Sequence, residues 1–353
     1  MSIHRPSIKD VAQRSGTSIS TVSNVLNDRK FVSDELRTRV LKAVEEMGYS
    51  ANPIARSLKS RRSGLVGVII SDINCVFFAP MLKGIQNVLA RAGYSMVTCD
   101  SNYKADRAVE YIKKLQGHWA DGLILAGMSV EECTDFFENL AQSPASDKQV
   151  PIVSVERDLS AYRIDSVLID NELASRTATS HLVEVGCRRI AHITGPQIAG
   201  LAGERYAGYL HALAQAGIES DTALVCRGDF SPISGYNAVR QLLQTDVPFD
   251  GVFAANDQMA VGALRALSNA GLAVPEAVKV VGFDNTFIAS IVMPALTTIS
   301  VPNYEMGTRA THMLLERIQE PERATRVDRL DFELIVRQST MASARTNWDM
   351  SYW

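Results

Sequence analysis

Apolar positions in the first fifty residues recur every three or four places, the spacing of one helix face. Ile8, Val11 and Ala12 give a first short helix, ending near Ser15, one apolar side. Ser7 precedes it and Asp10 follows three residues on, the spacing at which two side chains satisfy each other's backbone N–H groups at a helix start. Gly16 permits a sharp turn, and Ser18 is placed to cap a second helix over Ile19–Leu26. In that helix Val22, Val25 and Leu26 point inward, while Ile19, Ser20, Ser23 and Asn24 stay outside. A third helix is predicted over Asp34–Met47. Ser33 opens it, Asp34 and Glu35 sit in its first turn, Leu36, Val40, Val44 and Met47 form its buried stripe, and Gly48 ends it.

From Gly64 onward the pattern changes. Short apolar runs at Leu65–Ile70, Ser95–Cys99, Gly122–Ala126 and Ile152–Val155 alternate with amphipathic stretches near Phe78–Arg91, Arg107–Gln116 and Glu131–Ala141. It restarts at Val167–Ile169 and continues through Arg189–Thr194, Leu224–Arg227, Gly251–Ala255 and Lys279–Gly282. Strand and helix in alternation mean parallel sheets wrapped by helices. Two such units in tandem predict two lobes facing a cleft, with ligand-binding groups at the carboxyl ends of the strands.

The chain has 353 residues, 46% hydrophobic and 21% charged, enough for two or three compact units. Its apolar runs fall short of a membrane span, and the polar start Met1–Asp10 lacks the apolar stretch of a secretory signal, so a cytoplasmic protein with no membrane partner is expected. The five cysteines are far apart and are read as buried thiols. His4, His118, His181, His192, His211 and His312 show no ligand spacing, and no nucleophile-elbow, phosphate-loop or zinc-protease motif is present. Neither a metal, a cofactor nor a catalytic residue is expected. Charge is divided unevenly: residues 1–62 hold twelve Lys/Arg against six Asp/Glu, whereas the remainder holds twenty-four against thirty-three. A basic head on an acidic body suits a polyanion partner, although a solvated basic face would carry the same charge.

Two short helices joined by a tight turn and braced by a third make a helix-turn-helix, whose second helix enters the major groove. Ile19, Ser20 and Asn24 are then the base readers. Asn24 is suited to a bidentate contact with adenine, and Ile19 to a thymine methyl. Ser7, Thr21, Ser23 and Asn27 are candidate phosphate contacts. Any three-helix bundle can carry this pattern. The linker Asn52–Ser60 has a helix start in Asn52 and Pro53 and an apolar edge of Ile54, Ala55 and Leu58. A helix this short is marginal in water and forms only when a partner covers that edge; the alternative is a frayed tether.

Three strings decide between these readings: Ser7-Ile8-Lys9-Asp10-Val11-Ala12, then Ser20-Thr21-Val22-Ser23-Asn24-Val25-Leu26-Asn27, then Met47-Gly48-Tyr49 with Asn52-Pro53-Ile54-Ala55-Arg56-Ser57-Leu58. Together they resemble the lactose/galactose-repressor (LacI/GalR) family of bacterial transcription regulators, and the resemblance covers nearly the whole chain. Asn24 departs from the Arg or His that many relatives carry, so their operator preferences do not transfer at that base. The resemblance implies a DNA-binding repressor that meets a pseudo-palindromic operator as a homodimer. It also implies paired hinge helices in the minor groove, Leu58 wedged between base pairs, and Lys59, Arg61 and Arg62 on phosphates. The body it implies is a two-lobed α/β fold like periplasmic sugar-binding proteins, with crossovers near Tyr162, Ile291 and Arg323 and a helix Tyr304–Gln319 returning to the first lobe. The expected organisation is therefore a head at 1–50, a hinge at 51–62, an effector and dimerisation domain at 63–340, and a tail at 341–353. Within the body the lobes are expected at 63–162 with 292–322, and at 163–291 with 323–340.

Strand ends supply the candidate effector site. Phe77 and Phe78 follow the first strand, Asp100 the second, and Glu156 and Arg157 the fourth. Arg205, Phe230, Asn256 and Asp284 come from the second lobe. Carboxylates, guanidinium and amide groups grip sugar hydroxyls while aromatic rings cover the C–H face. The phenylalanines can equally be core, Asp257 a helix cap, and Asp170 and Asn171 structural. The resemblance supports Arg205, Asn256 and Asp284 most strongly. Purine-responsive relatives carry an extra arginine six residues before Arg205, where this chain has Ala199, which argues for a sugar over a purine. A nucleoside or sugar phosphate stands as the alternative effector. A transport-type binding protein is disfavoured by the basic head, and a sugar-processing enzyme would need Asp100, Glu156 and Asp284 cast as acid and base. Some relatives dock a phosphocarrier protein; nothing in this chain supports or opposes one.

Overall fold

The structure is a computed structural model, described here for residues 6–27, 31–49, 63–118, 120–128, 130–142, 150–196 and 200–345. The hinge candidates Asn52, Ala55, Leu58 and Lys59, together with Ala199 and the tail beyond residue 345, lie outside the described residues. The chain divides into two compact units, Met1–Gly64 and Leu65–Trp353.

The head holds α1 (Ile8–Ser15), α2 (Ile19–Asn27) and α3 (Asp34–Met47). The Asp10 carboxylate accepts from the Ser7 N–H at 2.7 Å and the Ser7 hydroxyl accepts from the Asp10 N–H at 3.4 Å, the reciprocal cap expected at α1. Gly16 ends α1 at φ 61°, a conformation open to glycine, and a Cβ there would meet the Arg39 guanidinium at 2.6 Å. Arg39 itself donates to the Ser15 carbonyl at 2.7 Å and so ties α3 to the turn. Ser18 caps α2, accepting from the Thr21 N–H at 3.0 Å. Ser33 begins α3 through its carbonyl alone, with no side-chain cap bond. Val11, Val22 and Val40, one from each helix, are fully buried against one another's elements, each contributing about 1.5–3 kcal/mol of burial. On α3 the fully covered residues are Val40 and Ala43, with Leu36, Val44 and Met47 half-buried.

The body builds two sheets, each six-stranded among the described residues. The first runs β11-β5-β4-β3-β1-β2, where β1 is Leu65–Ile70, β2 Ser95–Asp100, β3 Gly122–Ala126, β4 Ile152–Val155, β5 Asp165–Leu168 and β11 Val327–Arg329. The second runs β12-β10-β9-β8-β6-β7, where β6 is Ile190–Thr194, β7 Val225–Arg227, β8 Gly251–Ala254, β9 Lys279–Asp284, β10 Thr297–Ser300 and β12 Glu333–Ile335. Pairing is parallel apart from β10 with β12. Central strands such as β3 and β8 are buried at every position, as continuous apolar runs must be when helices cover both faces. The helices α4 (Phe78–Arg91), α5 (Ala105–His118), α6 (Thr134–Gln142) and α12 (Asn303–Gln319) accompany the first sheet. The second carries α7 (Asn171–Glu184), α8 (Gly200–Gln215), α9 (Pro232–Leu242), α10 (Asp257–Asn269) and the short α11 (Phe287–Ile291).

Helix α12 returns to the first lobe, packing on α4 and β4, but the lobe boundaries differ from those expected. The strand placed at the start of the second lobe is β5, and it joins the first sheet, with Val153 opposite Asp165. Likewise β10 belongs to the second sheet and β11 to the first. The chain therefore passes between lobes after Leu168, after Ser300 and after Arg329, each several residues later than Tyr162, Ile291 and Arg323. The first of these rests on Asp165, buried in β5: Arg317 of α12 donates to both its oxygens at 2.8 and 3.1 Å and the Arg326 N–H donates at 2.7 Å, which ties β5 to the first lobe. A buried carboxylate survives only when paired in this way.

Candidate functional site

In the head, α2 presents the candidate base readers at its start. Ile19 is 46% exposed and Ser20 exposed, while Thr21, Ser23 and Asn24 are half-buried on the same helix, and Asn27 is its last residue. The Ser20 and Thr21 hydroxyls both lie within hydrogen-bonding distance of Ser18 Oγ, at 2.7 and 2.8 Å. Ser7 is exposed, with its hydroxyl donating to Asp10 at 2.7 Å.

In the body, a cleft between the two sheets is lined from the first lobe by Ser71, Cys75, Phe77, Phe78, Tyr103, Gly127 and Glu156, and from the second by Leu201, Arg205, Phe230, Asn256 and Asp284. All but Leu201 and Arg205 lie at or just beyond carboxyl ends of strands, where a doubly wound sheet opens. Four of them hold a left-handed backbone: Tyr103 at φ 56°, Glu156 at 72°, Phe230 at 68° and Asp284 at 106°. Such conformations cost about 1–3 kcal/mol each and cluster where side chains must be aimed at a ligand. Gly127 serves the same floor, since at φ 71° a Cβ would meet Ser71 Oγ at 2.8 Å and the Phe78 ring at 3.0 Å. The space between the lining residues is about 50 Å³.

Arg205 is the hub. It is 4% exposed; its Nε donates to Asn171 Oδ1 at 3.0 Å, its Nη1 to the Ala255 carbonyl at 2.5 Å, and its Nη2 lies 3.7 Å from Asp284 Oδ1. Its guanidinium carbon stands 3.8 Å from the centre of the Phe283 ring, a favourable seat for a desolvated cation. Burial raises the Asp284 carboxyl well above its ordinary range, with Arg205 pulling it down and Asp257 and Glu156 adding to the rise. Burial also pushes Glu156 up to about 7, against the pull of Arg205 and Arg157. Beneath this layer, the His192 ring is stacked between Tyr209 and Phe253 at 4.9 and 4.8 Å, its Nδ1 lies 2.9 Å from the Phe253 carbonyl oxygen, and burial lowers its pKa to about 4.

Aromatic rings cover the cleft from both lobes. Phe77 and Phe78 meet edge to face at 5.3 Å, and Tyr103 and Phe230 approach across the gap at 6.0 Å. Asn256 lines the cleft but is also a cap: its Oδ1 accepts from the Met259 N–H at 2.9 Å and its Nδ2 donates to the Phe230 carbonyl at 3.0 Å.

Two candidates fall elsewhere. Asp100 closes β2 but turns its carboxylate onto the Asn102 N–H at 2.8 Å, stabilising the loop instead of lining the cleft. Arg157 lies beside the cleft, paired with Glu131 and with Glu204, the latter at 3.2 Å. Asp257 is the first residue of α10, not its cap, and its buried carboxylate accepts from Thr286 and Thr298. Asp170 caps α7 and Asn171 supports Arg205. Ser71, Cys75, Tyr103, Gly127 and Leu201 were not expected; the first four follow β1, β2 and β3, where strand-end position is the signal that could have found them. Among the described residues no group of three or more His, Cys, Asp or Glu side chains could hold a metal ion, and no helix is long and apolar enough to cross a membrane.

Comparison with known proteins adds independent findings. Residues 7–52 match the family described as bacterial regulatory proteins, lacI family, and residues 179–340 match a periplasmic binding protein-like domain. The HTH-type transcriptional regulator RegA of Clostridium saccharobutylicum is 36% identical over 337 residues, covering 95% of this chain and 99% of that one. Among solved structures, the transcriptional regulator CelR–cellobiose complex is 33% identical at a TM-score of 0.69, covering 95% of this chain and 100% of that one. The lac repressor dimer bound to operator and the anti-inducer ONPF is 27% identical at a TM-score of 0.84, covering 96% and 99%.

Proposed function

Because the chain belongs to the lacI family of bacterial regulatory proteins, we propose that it is a cytoplasmic, homodimeric repressor, not an enzyme, whose operator affinity is set by a sugar held in the cleft of its body. The observation that carries the effector reading is the convergence on one cleft of Arg205, Asp284 and Glu156 with the rings of Phe78, Tyr103 and Phe230. Hydroxyl groups both donate and accept, so a carboxylate-guanidinium rim satisfies them, and the rings cover the apolar face of the sugar. A ligand lacking one hydroxyl leaves a buried group unpaired, at about 1–3 kcal/mol.

Ile19, Ser20 and Asn24 read bases in this proposal, with Ser7, Thr21, Ser23 and Asn27 on phosphates and Asn52, Ala55, Leu58 and Lys59 serving the hinge. Two-fold symmetry then makes the operator a pseudo-palindrome. The cleft, at about 50 Å³, is well below the ~300–1,000 Å³ of a usual ligand pocket, so a sugar enters only when the lobes part. Entry separates the Tyr103–Phe230 pair and the bond from the Val76 N–H to Gln258 Oε1, 3.1 Å long. The effector acts by its differential affinity for the two lobe arrangements.

A second reading, a nucleoside effector, draws on the Tyr103 and Phe230 rings, which can stack on a base as readily as on a sugar. One experiment separates them: a thermal-shift screen of the full chain over sugars, nucleosides and sugar phosphates, since a ligand of the folded state raises its melting temperature. A rise with a sugar and none with nucleosides is the expected result.

A further inference from the structure

One arginine lines the cleft and a second lies beside it, and both are paired with carboxyl groups. Arg205 is committed to Asn171, the Ala255 carbonyl and Asp284. Arg157, next to Glu156 on the first lobe, pairs with Glu131 of its own lobe and with Glu204 on α8 of the second. Its side chain is 13% exposed, theirs 37% and 46%. The group packs on Gly200, where a Cβ would lie 3.1 Å from both Arg157 Nη1 and Glu131 Oε2; the next residue, Leu201, lines the cleft. Two guanidinium groups thus face four carboxyl groups: Glu131, Glu156, Glu204 and Asp284. The Nε–H of Arg157 is buried and has no hydrogen-bond partner among the described residues.

Phosphate binds where arginine offers a free, bidentate fork. Here the fork of Arg157 is filled by carboxylates, which also repel a second anion, and discrimination by repulsion is as effective as discrimination by attraction. We propose that Glu131 and Glu204 are specificity-determining residues: by occupying Arg157 they reserve the cleft for an uncharged polyhydroxyl effector and exclude phosphate esters and other anions. The inference rests on the sugar reading of the cleft, and it assigns the effector's charge class.

Inorganic phosphate is the probe, titrated into the full chain against sodium chloride of equal ionic strength, with melting temperature as the readout. Wild type shows no saturable rise. The Glu131→Gln/Glu204→Gln variant, which frees Arg157 while keeping side-chain volume, gains a saturable rise of about 5 °C, and adding Arg157→Gln removes it. A saturable rise in wild type that Arg157→Gln abolishes overturns the proposal, as does a double variant that responds no more than wild type. The wild-type arm needs no substitution, and Glu204→Gln alone alters a half-exposed carboxylate should the double variant fold poorly. A panel of neutral sugars measured alongside tests the cleft reading separately. If none stabilises wild type, that reading fails while the phosphate arms still decide what the two glutamates do.

Discussion

The side-chain amide of Asn256 donates to the carbonyl of Phe230 at 3.0 Å while its oxygen caps α10, so one residue fixes both a helix start and the loop that carries a ring over the cleft. Asn256→Ala is expected to lose the cap, at roughly 0.5–2 kcal/mol, and to release Phe230 as well. Urea unfolding of the full chain measures the first effect. Calorimetry with whichever ligand the thermal screen identifies measures the second, as a weakened affinity.

Arg205→Ala removes the partner of buried Asp284. Breaking a buried pair costs about 3–5 kcal/mol, so a lower melting temperature is expected together with loss of the effector response. Operator binding survives, because the head is a separate compact unit. Calorimetry for the effector and a gel shift on a DNA fragment obtained by selection distinguish these outcomes; an unchanged effector response would refute the hub role of Arg205.

Glu156 gives a pH signature. Burial holds its folded pKa at about 7, above the ordinary 4.5. The folded state therefore binds the extra proton between those values, and this carboxyl makes stability fall as pH rises through that window. His192, lowered to about 4, acts oppositely, so the comparison must be with Glu156→Gln. The variant is expected to be more stable than wild type near pH 8, by on the order of 2–3 kcal/mol, and to lose that advantage near pH 4.5. Parallel unfolding curves across this range would exclude the effect.

Leu58→Ala tests the hinge expectation drawn from the linker sequence. Operator affinity should drop by tenfold or more, since a side chain wedged between base pairs supports the bend that buries further surface. Effector affinity should stay within twofold of wild type, and binding of both proteins should weaken steeply with salt. Equal gel-shift titrations for variant and wild type would remove Leu58 from the interface.

The head was legible nearly residue by residue because its signals are local: Ser7 with Asp10 at α1, Ser18 at α2, and glycines 16 and 48 in the left-handed region. Strands β1, β3 and β4 were equally plain, being unbroken apolar runs. What escaped was set by partners distant in sequence. The lobe boundaries depended on which sheet each strand joins: β5, read as a strand, lies beside β4, held there by Arg317, more than a hundred and fifty residues later, on Asp165. Asp100 satisfied the strand-end rule yet found a closer donor in the Asn102 N–H. Tyr103 and Cys75 reach the cleft from loops whose course no periodicity encodes.

The pairing of β11 with β5, and of β12 with β10, also has a bearing on biogenesis. Neither lobe is finished until its edge strand, Val327–Arg329 in one and Glu333–Ile335 in the other, has left the ribosome, so both must wait, partly assembled, through most of translation. A chain cut short near 320 would forfeit an edge of each sheet at once, not a single dispensable terminus.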